Sequence, residues 1–270
     1  MMMKAARDIV PKGFVVSLCK EAGRMMLDSL GGSLEITRKG EVDLVTQVDL
    51  ALERLITEAI HDVFPDHTVL GEEGWREEEA READYAWFFD PLDGTTNYVH
   101  GYPMFCVSVA LTQRGEVLLG AVYDPLRDEL FYAEEGEGAT LNDRRIVVSD
   151  TDRLISSLLS TGFPYRRATV PDSNVSLLGG VIDSIQGVRR SGSVALDLAY
   201  VAAGRLDGHW ELHVKPWDTA AGGLLVKEAG GRITGIEGEA WSPFEGKIVA
   251  TNGKIHDGLV TALGQAEQAP

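Results

Sequence analysis

The 270-residue sequence predicts a fold of mixed α+β and α/β class. Helices and an antiparallel sheet are expected in residues 1–150, and alternating strands and helices in 151–270. Three observations carry that expectation. Two stretches near the N-terminus place apolar residues at helical spacing. Residues 104–148 break into short β-rich runs separated by turn signals. Beyond residue 154, strand and helix patterns alternate. No Pro-, Gly- or Ser-rich linker separates the halves, so they are expected to form one compact unit that shares a cleft.

The elements follow in order. Residues 12–30 (KGFVVSLCKEAGRMMLDSL) form the first helix, stopped by Gly31-Gly32. Residues 47–63 form the second, which ends before Pro65. Residues 68–71 and 86–90 read as short buried strands, with the acidic stretch 72–84 between them as a solvated loop or helix. The runs MFCVSVALT, EVLLGAVYD, ELFYAEE and RRIVV are divided by QRG, DPLRD and GEGATLND, the signature of a meander. Strands near 154–160, 187–190, 206–212 and 247–251 then alternate with helices near 174–185, 193–203, 218–229 and 253–264.

Composition narrows the function. With 42 Asp plus Glu against 25 Lys plus Arg, the net charge is −17. That balance lacks the basic footprint of a nucleic-acid binder and suits a protein that collects divalent cations. Cys19 and Cys106 are too few for a disulfide framework or a Cys-rich zinc site. The N-terminus has no apolar core of signal-peptide length. The uncharged run 94–113 is too polar for a membrane helix. The expectation is a cytoplasmic protein with no nucleic-acid or membrane partner.

The most informative segment is WFFDPLDGTTNY (87–98). An apolar strand ends at Asp90, Pro91 blocks further ladder pairing, and Gly94 permits a tight turn. Thr95 or Thr96 can then cap a short helix. Two carboxylates thus sit at a strand end beside a helix N-terminus. Carboxylates are hard oxygen ligands for Mg²⁺, and free N–H groups at a helix start attract anions. The pattern describes a meeting point for a phosphate and its metals. Glu72 in GEE (71–73), Asp218 in WDTAAGG (217–223) and Asp49 in DLVTQVD (43–49) also stand at element ends. Taken alone, each reads better as a surface acid or a helix cap. Packed together they would repel one another unless cations joined them.

Other signals are weaker. His209-Trp-Glu-Leu-His213 lacks the Glu that a zinc-protease motif needs after its first His. Read as a strand, it is expected to put both rings on one face with Glu211 opposite. Cys106 lies in an apolar run and reads as core. No Walker loop, Rossmann glycine pattern or GxSxG elbow occurs.

The motifs DLVTQVD, GEE, WFFDPLDGTTNY, SGSVALDLAYVAAGRLDG (191–208) and WDTAAGGLLVKEAGG (217–231), in this order, resemble the inositol monophosphatase family. Phe89 and Gly74 depart from the family's usual residues. The resemblance implies a layered αβαβα sandwich, as in the related fructose-1,6-bisphosphatases. It also implies a lithium-sensitive, Mg²⁺-dependent phosphatase with two or three ions, and a homodimer. On this resemblance Glu72, Asp90 and the Leu92 carbonyl would hold a first metal. Asp90, Asp93 and Asp218 would hold a second, and Glu72 would touch a third. Thr95 and Asp49 would orient and deprotonate the attacking water, and Gly94 and Thr95 N–H groups would hold phosphate. Glu211, with Gly192, Ser193 and Ala195, would contact substrate. Arg38 and Lys39 would form a mobile flap. The implied reaction is hydrolysis of myo-inositol 1-phosphate or a similar small polyol phosphate by a metal-activated water. A fructose-1,6-bisphosphatase or another sugar or nucleotide phosphatase is the alternative. Outside enzymes, the alternative is an acidic protein-interaction partner.

Overall fold

A computed structural model describes residues 5–32, 36–38, 44–72, 74–164 and 174–267. The first long helix, α1 (Lys12–Ser29), buries Val15, Leu18, Cys19, Ala22 and Met26 on one stripe, which is the spacing the sequence showed. A hairpin of β1 (Ile36–Arg38) and β2 (Leu44–Thr46) follows; the sequence reading missed it. Arg38 therefore ends a strand, and Lys39 of the expected flap lies outside the described residues. Helix α2 (Gln47–Val63) starts with a reciprocal capping box. Thr46 Oγ1 accepts from the Val48 and Asp49 N–H groups, and Asp49 Oδ2 accepts from Thr46 N at 2.8 Å.

Strand β3 (Thr68–Gly71) runs parallel to β4 (Ala86–Asp93), with α3 (Glu77–Glu82) between them. Strand β4 is longer than expected: a register shift between Asp90 and Asp93 carries it past Pro91. A short helix α4 (Thr95–Val99) comes next, and the meander follows as β5 (Cys106–Gln113), β6 (Glu116–Asp124), β7 (Glu129–Glu134), β8 (Gly138–Leu141) and β9 (Arg144–Arg145). Together β3 to β9 make one seven-stranded sheet in sequence order.

The later residues add β10 (Leu158–Thr161), α5 (Val175–Val181), β11 (Gly187–Arg189), α6 (Val194–Ala202) and β12 (Gly208–Leu212). Then come α7 (Pro216–Glu228), β13 (Arg232–Thr234), β14 (Lys247–Thr251) and α8 (His256–Glu267). Residues 154–156 are a 3-10 turn rather than strand. Strand β13 was not foreseen, being three residues beside Gly230-Gly231. The five strands form a mixed sheet in the order β11-β10-β12-β14-β13.

Side-chain alternation along the strands stacks these elements into five layers. Trp87, Phe89, Val107 and Val109 point toward α1 and α2. Phe88, Cys106, Ala110 and Val122 point the other way, onto α6 and α7, which also cover Ile248 and Ala250 of the second sheet. Leu159, Trp210 and Val249 face α5 and α8. The order is therefore αβαβα. The middle helix layer is thin because α7 is rich in small residues. A Cβ at Gly120 of β6 would lie 2.7 Å from the Ala221 oxygen, and one at Gly222 would lie 2.5 Å from Leu198 Cβ. This close approach fixes where the N-terminus of α7, and hence Asp218, sits. Gly120→Ala is expected to lower unfolding free energy in urea by about 1–3 kcal/mol through overpacking. An unchanged midpoint would contradict backbone contact between β6 and α7.

Candidate active site

The carboxylates converge where β4, β10 and β12 end and α4, α6 and α7 begin. A cavity of about 510 Å³ opens there, lined by Glu72, Asp90, Leu92, Asp93, Gly94, Thr95, Arg190, Gly192, Ser193, Val194, Asp197, Glu211, Lys215 and Asp218, among others. Six of those residues are acidic and two are Lys or Arg.

Asp90 and Asp218 are each held by a local bond to one oxygen, Asp93 by bonds from the start of α6, and Asp49 through both oxygens. Asp90 Oδ1 accepts from Leu92 N at 2.9 Å, a turn made by the bulge in β4. Asp93 Oδ2 accepts from Ser193 Oγ at 2.7 Å and from Ala195 N at 2.8 Å, tying β4 to the start of α6. Asp218 Oδ2 accepts from Lys215 N at 2.8 Å, as the N3 residue of α7. Asp49 caps α2 with Oδ2 and receives Thr95 Oγ1 on Oδ1 at 2.9 Å. For Asp49 and Asp218 the capping reading holds, and Asp218 lines the cavity as well. Thr95 Oγ1 also lies 3.1 Å from the Leu92 carbonyl, so its single proton has two acceptors to choose between.

The turn itself differs from expectation. Neither threonine caps α4 with its side chain. Gly94 is the capping position, at φ 97°, and a Cβ there would lie 2.7 Å from the Met104 oxygen. Thr95 is the first helical residue, and its hydroxyl is left for Asp49. Asn97 then donates to the Met104 and Ser191 carbonyls at 2.6 and 2.9 Å, fastening the motif to the loop before α6.

The substrate-side residues divide. Glu211 and Gly192 line the cavity. Ser193 lines it too, but its hydroxyl is donated to Asp93. Ala195 does not reach the cavity wall: its side chain is fully buried and its N–H serves Asp93. Val194 stands on the wall instead. Glu73 lies outside the described residues. The expected opposition of His209 and Glu211 is overturned. Residues two apart on a strand share a face, and His209 Nε2 lies 3.5 Å from Glu211 Oε2. His213 leaves the ladder at φ 63° after β12 ends at Leu212.

Asp197, Arg190 and Gly162 also belong to the site, and the sequence reading assigned none of them a role. Asp197 was legible only as one acid inside SGSVALDLAYVAAGRLDG. Gly162 carried no signal, yet a Cβ there would lie within contact of the Glu211 carboxylate.

Burial and mutual repulsion push these acids up. Asp90 is held well above the usual carboxylate range by burial first, then by Glu72, Asp93 and Asp218. Burial and Asp93 do the same to Asp218. Burial raises Glu211, with Asp218 and Asp197 adding to it. Asp93 rises by burial against its hydrogen bonds from Ser193 and Ala195. Asp197 is pushed up to about 8, chiefly by burial. Burial likewise raises the Cys106 thiol well above its ordinary value, which suits core rather than a nucleophile.

Among the described residues no three His, Cys, Asp or Glu side chains already converge on one point as a metal site. The donor set nevertheless fits hard divalent cations: Asp90, Asp93 and Asp218 are carboxylates each anchored through one oxygen, with few cations nearby to neutralise them.

A pH prediction follows from these shifts. A carboxyl whose folded pKa is raised adds no penalty below its unfolded pKa near 4, and stability is lost as pH rises through the folded value. His209 and His256, depressed by burial to about 3 and about 4, stay neutral above pH 6.5. Protein in EDTA is therefore expected to lose stability from pH 6.5 to 8, by about 1.4 kcal/mol per pH unit for a group such as Asp197. Mg²⁺ should flatten or reverse that slope, because it binds ionised ligands. Thermal melts with EDTA and with Mg²⁺ check this; a metal-free protein most stable at pH 8 would contradict it.

Fold and site together define a layered α/β/α/β/α protein with an acidic cavity between its two sheets. The chain belongs to the inositol monophosphatase family, whose sequence model matches residues 12–268. The inositol-1-monophosphatase of Synechocystis sp. is 45% identical over 248 residues, covering 92% of this chain and 86% of that protein. The Nus factor SuhB of Pseudomonas aeruginosa is 42% identical over 249 residues, covering 90% and 92%. The solved inositol monophosphatase of Anabaena (Nostoc) sp. superposes with TM-score 0.85 at 44% identity, covering 94% of each chain. An IMPase/NADP phosphatase solved with Mg²⁺ and phosphate is 25% identical, with TM-score 0.82 and 93% of each chain covered. The family places this chain among phosphatases of this fold. Among the described residues, no helix is long and apolar enough to cross a membrane.

Proposed function

We propose that the chain is a Mg²⁺-dependent phosphomonoesterase that hydrolyses myo-inositol 1-phosphate or a similar small polyol phosphate. The observation that carries this reading is the charge of the cavity. Six acidic residues against two basic ones form a wall that repels a phosphate unless cations stand between. The relatives named for inositol monophosphatase and the structure complexed with Mg²⁺ and phosphate support the same chemistry.

When bound, two or three Mg²⁺ would neutralise the phosphoryl oxygens and lower the pKa of water. Glu72, Asp90 and the Leu92 carbonyl would hold one ion, Asp90, Asp93 and Asp218 a second, and Glu72 would reach a third. Thr95 Oγ1 orients the attacking water and passes its proton to Asp49 Oδ1. A threonine hydroxyl is a poor base alone, but at 2.9 Å from a carboxylate it can relay. The N–H groups of Gly94 and Thr95 receive the phosphate. Glu211 accepts hydrogen bonds from substrate hydroxyls, beside Gly192 and Val194. The homodimer implied by the resemblance belongs to this proposal as well.

The experiment is phosphate release from a panel: inositol 1-phosphate, fructose 1,6-bisphosphate, histidinol phosphate, phosphoadenosine phosphate and NADP, with and without Li⁺. The expected result is the highest kcat/KM for inositol 1-phosphate, inhibited by Li⁺. Preference for another compound would move the specificity to that compound and leave the metal chemistry standing. A second reading, a role in a macromolecular assembly alongside catalysis, is favoured by the relative named Nus factor SuhB. Catalytically dead Asp93→Asn protein that still supports such a role would separate the two.

A further inference from the structure

Glu211 hangs into the cavity with no hydrogen bond from any described residue to hold its carboxylate. Space for it exists because residue 162 is glycine: the carbon any other residue would add there would collide with both Glu211 oxygens. Behind it on the same face of β12 lies His209, whose side chain is wholly enclosed. His209 Nδ1 is 2.9 Å from Ser160 Oγ and 3.8 Å from Asp197 Oδ2. Its Nε2 is buried without a hydrogen-bond partner, and lies 3.5 Å from Glu211 Oε2.

A fully buried imidazole at this depth is neutral, so one nitrogen carries the proton and the other does not. With the proton on Nδ1, the Nε2 lone pair would face the carboxylate and stay unsatisfied. With the proton on Nε2, the ring donates toward Glu211 and Ser160 donates to Nδ1. Only the second arrangement places a proton between Nε2 and the Glu211 carboxylate.

We propose that His209 is a positioning residue that acts through Glu211: its Nε2–H tautomer, fixed by the Ser160 hydroxyl, aims the Glu211 carboxylate at the hydroxyl groups of the substrate. The inference rests on the reading of Glu211 as the hydroxyl-binding carboxylate. The 3.5 Å contact is longer than a formed hydrogen bond. Such contacts tighten when substrate binds. Nothing in the HWELH motif signalled this role, because its second histidine drew attention toward zinc and away from the parity of 209 and 211.

The test compares His209→Phe with wild type on two substrates, inositol 1-phosphate and p-nitrophenyl phosphate, which has no hydroxyl for Glu211. KM for inositol 1-phosphate is expected to rise about 10-fold, the size of one lost hydrogen bond to a charged group. It should rise several times more than KM for p-nitrophenyl phosphate, while kcat moves little. His209→Gln, which can still donate, should recover part of the loss. Equal changes on both substrates would mean a structural role only and overturn the proposal. If His209→Phe does not fold, Ser160→Ala is expected to shift KM in the same selective direction. Independently of activity, ¹⁵N NMR of the imidazole should show the Nε2–H tautomer; an Nδ1–H signature would overturn the proposal. A wild type that releases no phosphate from either substrate would instead strike at the phosphatase reading, and the NMR result would still decide the tautomer.

Discussion

Asp93→Asn is expected to lower kcat by about 10³-fold or more while the protein stays folded. Asn has nearly the same shape, and its amide oxygen can still accept from Ser193 Oγ and Ala195 N. The wall between β4 and α6 is thereby kept. What disappears is one negative charge from the carboxylate set that would hold the second metal. Metal-centred charge stabilisation is worth several kcal/mol, and about 1.4 kcal/mol is tenfold in rate, so roughly three decades follow. Stability should move the opposite way. Burial raises the Asp93 pKa, so a neutral side chain removes a desolvation cost and the melting temperature in EDTA should hold or rise. The Mg²⁺-induced rise in melting temperature should shrink. Turnover near the wild-type value would sink the metal role of this carboxylate.

Thr95→Val is expected to lower kcat by roughly 10²–10⁴-fold, the usual contribution of a positioned proton-transfer group. Valine fills the same volume and removes only the hydroxyl that bridges Asp49 and the Leu92 carbonyl. The carboxylates remain, so the Mg²⁺-induced shift in melting temperature should persist. That pairing of lost rate with kept metal response separates this variant from Asp93→Asn. Asp49→Asn is a less clean probe, because Asp49 also closes the capping box of α2, and a lost cap costs about 1 kcal/mol by itself. A wild-type kcat in Thr95→Val would remove the relay from the mechanism.

Much of this site is readable from residue types because its parts are local. WFFDPLDGTTNY packs a strand end, a glycine turn and a helix start into twelve residues, and the chemistry of each is fixed by its neighbours in sequence. Periodicity made the long helices and the meander legible, whereas the five-layer order came only from the family resemblance. What stayed hidden depends on distance in the chain. Ala195 reads as a pocket residue until Asp93, 102 positions away, is seen to take its N–H. Val194, the first residue of α6, stands on the wall in its place. Gly162 has a purpose only once Glu211 is beside it. The continuation of β4 past Pro91 was unreadable because a bulge, not a ladder, accommodates the proline. Strands as short as β13 hold too few residues for a pattern.

The central claim is that this acidic cavity works through Mg²⁺ to hydrolyse a phosphomonoester. The most direct measurement strips the protein with EDTA, returns Mg²⁺ stepwise, and follows phosphate release from inositol 1-phosphate at neutral pH. The account predicts no release in EDTA and full recovery with Mg²⁺. Release that EDTA leaves untouched, or none at any Mg²⁺ concentration from folded protein, would contradict it.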